Sequence, residues 1–369
     1  MKPMKQSFYT LSAAIFLALC TACTEADIVL PVIGGEDGSG QGNVDAPDKG
    51  VPMTINELDL SLTAETRAGG VITGGPEGTD NPNPLTKVGV CVTKKEETGI
   101  SVLYDPVIPT KVFSYSGSVW EQEGEPPLYL HTDKGRVYAY APEDKTVELN
   151  MDGVPLMKGV VVKASQVFQF NDATSDISWQ TDQEDYLYCQ VANEVDRWNP
   201  TVSLNMQHAL AKVSFRVKEK DGGTLYAGSK VTGVTLKSEG GNHFYSSANG
   251  QMQLAAGGVL ATTTVGILTF SASTASGSVL REVGSGSGGA TVPVQAFGLV
   301  FPVSGFKATL ELILDDGHVF VSPSFTVNWV AGQNYIYTVT LSPKGITIGT
   351  PKVTNWEDTT IQDPNVPMD

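Results

Sequence analysis

The chain has 369 residues, of which 41% are hydrophobic and 17% charged, with 39 Gly and 21 Pro. That length can bury cores for two ordinary domains, and the Gly and Pro load favours many turns and short strands over long helices. A net charge of −16 leaves nothing to compensate phosphates, so a nucleic-acid partner is excluded and a solvent-facing surface is expected.

The first 22 residues read as an export signal. Lys2 and Lys5 precede the apolar run "FYTLSAAIFLALCTA", which is too short, and too soon followed by polar residues, to span a membrane. The run closes on "LALCTAC", which resembles a lipoprotein signal in which a cysteine behind small residues is acylated. Cys23, behind Ala22, is then the lipidation site rather than Cys20, which follows the bulky Leu19. "CTAC" is also a C-x-x-C pair, but it straddles the cleavage site, and a redox role is set aside. Past the signal only Cys91 and Cys189 remain, either a single disulfide or two buried small hydrophobes. With no second hydrophobic segment of spanning length, membrane attachment would be through the lipid.

Residues 24–50 are acidic, Gly/Asp-rich and poor in aromatics, the composition of a flexible tether. Their "DGSGQGNVD" lacks the spacing and closing Glu of a calcium loop. In "MTINELDLSL", residues 53–62, Leu58, Leu60 and Leu62 alternate with Asp59 and Ser61 at the period of a half-buried strand. Met53 and Ile55 alternate one residue out of phase, which requires a bulge near Glu57. A Gly/Pro/Asn run from 69 to 84 follows, so this strand sits between two flexible segments. Just beyond it lies Arg67, whose nearest basic neighbours are Lys49 and Lys87. A lone arginine in such a stretch reads as an address for a protease that cuts between Arg67 and Ala68.

From about Leu85 to Ser342 the signal is β almost throughout, in runs such as "KVGVCVTK", "KVFSYSGSVW", "RVYAYAP" and "VVVKASQVFQF". In "AKVSFRVKE" Ala211, Val213, Phe215 and Val217 face one way, and Lys212, Ser214, Arg216 and Lys218 the other. "TLELILDDGHVFVS" reads as a hairpin turned by Asp315-Asp316-Gly317, with Leu310, Leu312 and Leu314 inward. "NYIYTVTL" alternates Tyr335, Tyr337 and Val339 against Ile336, Thr338 and Thr340. The best stretch for a helical turn is "NMQHALAK", 205–212. This spacing predicts an all-β chain of two tandem antiparallel sandwiches, divided in the polar, Pro-broken "ANEVDRWNPTVSL" (192–204). The domains are then 68–200 and 201–369, with "GSGSGGA" (284–290) as a loop inside the second.

No catalytic constellation accompanies these strands. His131, His208, His243 and His318 show no metal-ligand spacing, and neither a phosphate-cradling glycine motif nor a nucleophile elbow is present. Neither a metal nor a cofactor is expected, and the chain is not read as an enzyme. His208, flanked by apolar residues, reads as a structural histidine. Trp120, Trp179 and Trp198 are the aromatics that could form a sugar-binding platform, unless they fill the cores.

A lipoprotein signal, a strand followed by "TRAGG", then "VYAYAP", "DYLYCQV", "MQHALAKVSFRV" and the closing "NWVAGQNYIYTVTL" and "KVTNWED" together resemble the fimbrillin family, the subunits of type V pili. The resemblance covers most of the chain. It implies two transthyretin-like, Greek-key sandwiches and a palmitoylated outer-membrane lipoprotein precursor. It also implies an arginine-specific protease acting at Arg67–Ala68. The segment 23–67 would be removed, and with it the strand carrying Met53, Ile55, Leu58, Leu60 and Leu62. A strand from another subunit would fill the vacated groove, building a cell-surface pilus that serves adhesion to host or bacterial surface ligands. The excised piece carries nine acids and two bases, net −7, and the remainder is net −11. After Trp356 the stretch "EDTTIQDPNVPMD" offers Ile361, Val366 and Met368 as a donor tail, but its prolines suit a paired strand poorly. An accessory or tip subunit is therefore favoured, with a stalk subunit close behind. The competing reading is a monomeric surface lipoprotein that binds glycans.

Overall fold

The computed structural model of the protein describes residues 49–60, 68–69, 84–96, 99–173, 179–285 and 292–355. Among them every regular element is a strand and no helix occurs. The chain is all-β, as its alternation predicts.

The first strands are β1 (Val51–Pro52), β2 (Thr54–Leu60), β3 (Ala68–Gly69), β4 (Lys87–Lys95), β5 (Ser101–Leu103), β6 (Lys111–Tyr115), β7 (Trp120–Gln122) and β8 (Tyr129–Leu130). They are followed by β9 (Gly135–Ala141), β10 (Val147–Leu149), β11 (Pro155–Val162), β12 (Ser165–Phe170), β13 (Trp179–Thr181), β14 (Leu187–Gln190) and β15 (Thr201–His208). One sheet runs β2-β15-β14-β9-β4-β6-β7, with β5 also on β4, while β1 pairs with β8 in a short ribbon. This sheet wraps a cluster built on Val88, Val90, Val92, Phe113, Trp120, Leu128, Leu187, Val202, Leu204 and Met206.

The later strands are β16 (Ala211–Glu219), β17 (Val231–Ser238), β18 (Phe244–Gln253), β19 (Val259–Leu260), β20 (Thr263–Val265), β21 (Ile267–Ala272) and β22 (Ala296–Val300). Then come β23 (Val303–Leu314), β24 (Val319–Val321), β25 (Phe325–Trp329), β26 (Gln333–Ser342), β27 (Gly345–Ile348) and β28 (Lys352–Asn355). One sheet is β24-β23-β17-β21-β12-β13-β3, with β25 on β23. A second is β22-β16-β26-β27, with β28 on β26. A third is β10-β11-β18-β19, with β20 on β18. A larger cluster, including Phe168, Phe170, Trp179, Phe215, Phe244, Phe297, Trp329 and Tyr337, fills this part of the molecule. Two buried cations are accommodated against its rings. Lys212 Nζ lies 3.8 Å from the Trp179 ring centre and the Arg281 guanidinium 3.7 Å from that of Phe170.

Pairing crosses residue 200 in both directions. β15 ladders onto β14 and β2, while β12 runs parallel to β21 and β11 antiparallel to β18. Most ladders are antiparallel, but β2–β15, β12–β21, β13–β3 and β16–β26 are parallel. The run "VVVKASQVFQF" therefore breaks at Lys163-Ala164 into two strands that serve different sheets. The Asp315-Asp316-Gly317 hairpin forms as expected, with Leu310, Leu312 and Leu314 buried.

The expected helical turn at 205–212 does not form. Asn205–His208 complete β15, and Ala211 already begins β16. Val202, Leu204, Met206 and His208 point inward at every second position, and that two-residue period prevails over local helix preference. In β16 the polar positions Lys212 and Ser214 are buried like their apolar neighbours, because both faces of the strand are covered: Lys212 Nζ lies over the Trp179 ring and Ser214 Oγ donates to Asn334 Oδ1 at 2.9 Å.

Cys91 and Cys189 are free and buried. Cys91 contributes to the larger cluster and Cys189 to the smaller. Alternating side chains of the same sheet send them to opposite faces, and burial pushes the Cys91 thiol up to about 12.

Candidate functional site

The seat of β2 concentrates the features on which the sequence analysis turned. Its apolar positions Ile55, Leu58 and Leu60, with Met53 just before it, are between 1% and 8% exposed and belong to the smaller core cluster. Thr54, Asn56, Glu57 and Asp59 face outward. The register shifts between Val202 and Ser203, where Ile55 pairs with Val202 and Glu57 with Ser203, leaving Asn56 as the extra residue. That bulge brings the two out-of-phase apolar pairs onto one face.

β2 is laddered on one side, parallel to β15. Thr54 N donates to Pro200 O at 2.9 Å, the Thr54 and Thr201 hydroxyls lie 2.8 Å apart, and Ser203 Oγ donates to Asn56 Oδ1 at 3.0 Å. On its other side the sheet ends at β7, and there a side chain does the joining. Gln122 Nε2 donates to Met53 O at 2.7 Å and Gln122 Oε1 accepts from Leu128 N at 2.7 Å, while Met53 N donates to Leu128 O at 3.0 Å.

The approach to β2 is held by the β1–β8 ribbon. Gly50 turns into it at φ 65°, and a Cβ there would lie 2.9 Å from both His131 Cε1 and Leu130 O, so only glycine fits. Beyond β8, His131 N donates to Tyr104 OH at 2.7 Å and Tyr104 OH donates to Asp133 O at 3.0 Å. Burial is the main cause that raises the Tyr104 phenol above its ordinary value, which keeps it a donor.

β2 ends at Leu60, and the chain is next described at Ala68–Gly69, whose backbone runs parallel to Trp179–Gln180 in a different sheet. Cys23, Leu62, Arg67, Ile361, Val366 and Met368 lie outside the described residues. Of the three tryptophans singled out, Trp120 and Trp179 are buried and Trp198 is 68% exposed. His208 is buried, its Nδ1 2.9 Å from Asp185 Oδ2. Sequence reasoning missed two features of the seat, the Gln122 bridge and the parallel β15 ladder. The bridge is a single side chain with no periodic signal, and the ladder joins segments about 150 residues apart. Among the described residues no group of His, Cys, Asp and Glu could hold a metal ion.

Residues 78–356 match the model of a family described as fimbrillin-like. No curated protein matches the chain. Among solved structures, a candidate cell adhesion protein from Bacteroides ovatus is similar with a TM-score of 0.52 at 19% identity, over 83% of this chain and 98% of that one. A candidate cell adhesion protein from Bacteroides uniformis gives 0.48 at 16% identity, covering 84% and 99%. The tip fimbrial protein Mfa3 from Porphyromonas gingivalis gives 0.37 at 11% identity, covering 81% and 99%. At such identity the first of these speaks for a shared fold.

Proposed function

Since the chain belongs to the fimbrillin-like family, we propose that it is a subunit of a cell-surface fimbrium that polymerises by strand exchange and serves adhesion. In this reading it reaches the outer membrane as a lipoprotein acylated at Cys23. An arginine-specific protease then cuts between Arg67 and Ala68. The segment 23–67 leaves with β2, and a strand from another subunit takes its place.

The observation that carries this reading is the seat of β2. Among the described residues the strand is laddered on one side only, yet together with Met53 just before it, it supplies four buried apolar side chains to the core. Burial of that set contributes about 6–12 kcal/mol before entropic costs, and a groove emptied of it would expose both apolar surface and the unpaired edge of β15. Those are the conditions for addition of a foreign strand. The residues flanking the Arg67–Ala68 bond also favour excision. β2 is laddered in one sheet and Ala68–Gly69 in another, so cutting between them breaks neither ladder.

For its position in the fibre we propose an accessory or tip subunit, with the stalk as the near alternative. β28 is already paired to β26, and the sequence after it has two prolines, Pro364 and Pro367, among few apolar residues.

The test is the N-terminus of the protein recovered from cells. Cleavage predicts a new N-terminus at Ala68 and, with a donor present, heat-resistant oligomers. An Arg67→Ala chain that still matures and assembles normally would sink the proposal.

A further inference from the structure

Beside β2 lies a second feature that strand exchange does not use. The outward faces of β14 and β15 form the floor of a cleft of about 960 Å³, within the size range of small-ligand sites, about 300–1,000 Å³. Its polar lining is mostly amide and hydroxyl: Gln190, Asn205, Gln207 and Asn199, with the Tyr188 phenol and, from β2, Asn56. Lysine and arginine are absent from it, and its one acid, Glu194, is 3.7 Å from Lys134. The floor is held in place from within. Tyr188 OH donates to Gln207 Oε1 at 2.9 Å, and the Tyr188 ring lies against Gly257, where a Cβ would come within 1.9 Å of it.

The turn that supplies Asn199 also presents Trp198, 68% exposed. That turn is fixed. Asp196 Oδ1 accepts from Trp198 N and Asn199 N, both at 2.9 Å, and Arg197 N donates to His131 O at 2.8 Å. A large exposed aromatic, with the Arg197 guanidinium 5.9 Å from its ring centre, on the fixed turn that also supplies Asn199 to a cleft of amides, suits a ligand with both an apolar face and dense hydroxyls. Each amide offers a donor and an acceptor together, which matches a sugar hydroxyl that is both, and an indole face covers the C–H face of a sugar ring. The absence of lysine and arginine from the lining disfavours anions.

The geometry points to a binding site for neutral oligosaccharides on the β14–β15 face, with Trp198 as its stacking surface. One wall, Asn56, belongs to β2. On the strand-exchange reading that wall is replaced when the subunit assembles, so the uncut chain and the fibre present different sites.

The uncut full chain and assembled fibres can be tested against a panel of neutral hexose and N-acetylhexosamine oligosaccharides, with sulfated and sialylated ones alongside. Neutral binding by the uncut chain that falls at least tenfold in both Trp198→Ala and Asn205→Ala, with unchanged melting midpoints, supports the site. No neutral binding, preference for the charged sugars, or binding that survives both substitutions overturns it. Asn56→Ala separates the two ideas. Weakening confined to the uncut chain supports the replaced wall. Equal weakening in uncut chain and fibre leaves the sugar site standing and argues instead that β2 was never exchanged.

Discussion

Gln122 holds Met53 by a side-chain amide where two backbones would otherwise ladder: Nε2 donates to Met53 O at 2.7 Å while Oε1 accepts from Leu128 N at 2.7 Å. One residue thus links the entry of β2 to β7 and to the segment leading into β8. Gln122→Ala should loosen this entry while leaving the apolar seat intact. Loss of two partly buried hydrogen bonds is expected to cost about 1–3 kcal/mol. Hydrogen exchange should show faster opening at residues 53–60 than in β15 or β9. Uniform acceleration across the sheet would mean that Gln122 supports the whole core rather than its entry.

The apolar seat makes a second prediction. Leu58 and Leu60 are 8% and 2% exposed, and truncating a buried leucine to alanine costs about 2–5 kcal/mol. Leu60→Ala should lower the urea midpoint of the uncut chain accordingly. On the strand-exchange reading, fibres would lack this residue, and the same substitution should then be silent in them. An equal loss in both forms would show that the strand stays where it began.

Much of this seat was legible in the sequence. The alternation of Leu58 and Leu60 against Asp59, and the phase slip at Met53 and Ile55, located both the strand and its bulge, because inward and outward positions on a strand differ in solvation. Trp198 was marked as a possible sugar contact, but nothing in its neighbours separated it from Trp120 and Trp179, which the cores absorb. Local pattern does not encode partner choice. The parallel pairing of β12 with β21, or of β16 with β26, joins segments about 100 residues apart or more and depends on how whole sheets stack. The same limit hid the cleft, whose polar residues look like any solvent face until β14 and β15 are placed side by side.

Burial also sets a pH limit. Burial drives up Cys91, from 9.0 to about 12, and Tyr140 and Tyr337, each from 10.0 to about 12. Each group binds its proton more tightly when folded than unfolded. The stability this confers is complete below the unfolded values and is lost as pH rises from about 9 through about 12. Urea midpoints should therefore hold level to pH 9 and fall steeply above it. Iodoacetamide at pH 8 should modify Cys91 and Cys189 slowly in the native chain and quickly in urea. Rapid native labelling of Cys91 would contradict its placement in the core.

The pair between His208 and Asp185 makes the last prediction. Nδ1 of the imidazole lies 2.9 Å from Asp185 Oδ2, and both side chains are almost wholly buried. Their location gives the contact a role. His208 is the last residue of β15, Leu187 of β14 pairs with it, and Ala209 N donates to Tyr186 O at 2.8 Å. Three residues after His208 the chain enters β16, a central strand of the larger cluster. The pair therefore fixes the point at which the chain leaves one core for the other. Asp185→Ala removes a buried polar partner while the imidazole stays in place, a change expected to cost about 3–5 kcal/mol for a buried pair. Asp185→Asn keeps an oxygen that can accept from Nδ1, so it should cost less. Urea unfolding of the two variants decides the matter: similar midpoints for alanine and asparagine would show that the polar contact contributes nothing, whereas a clear gap between them would assign the clamp to it.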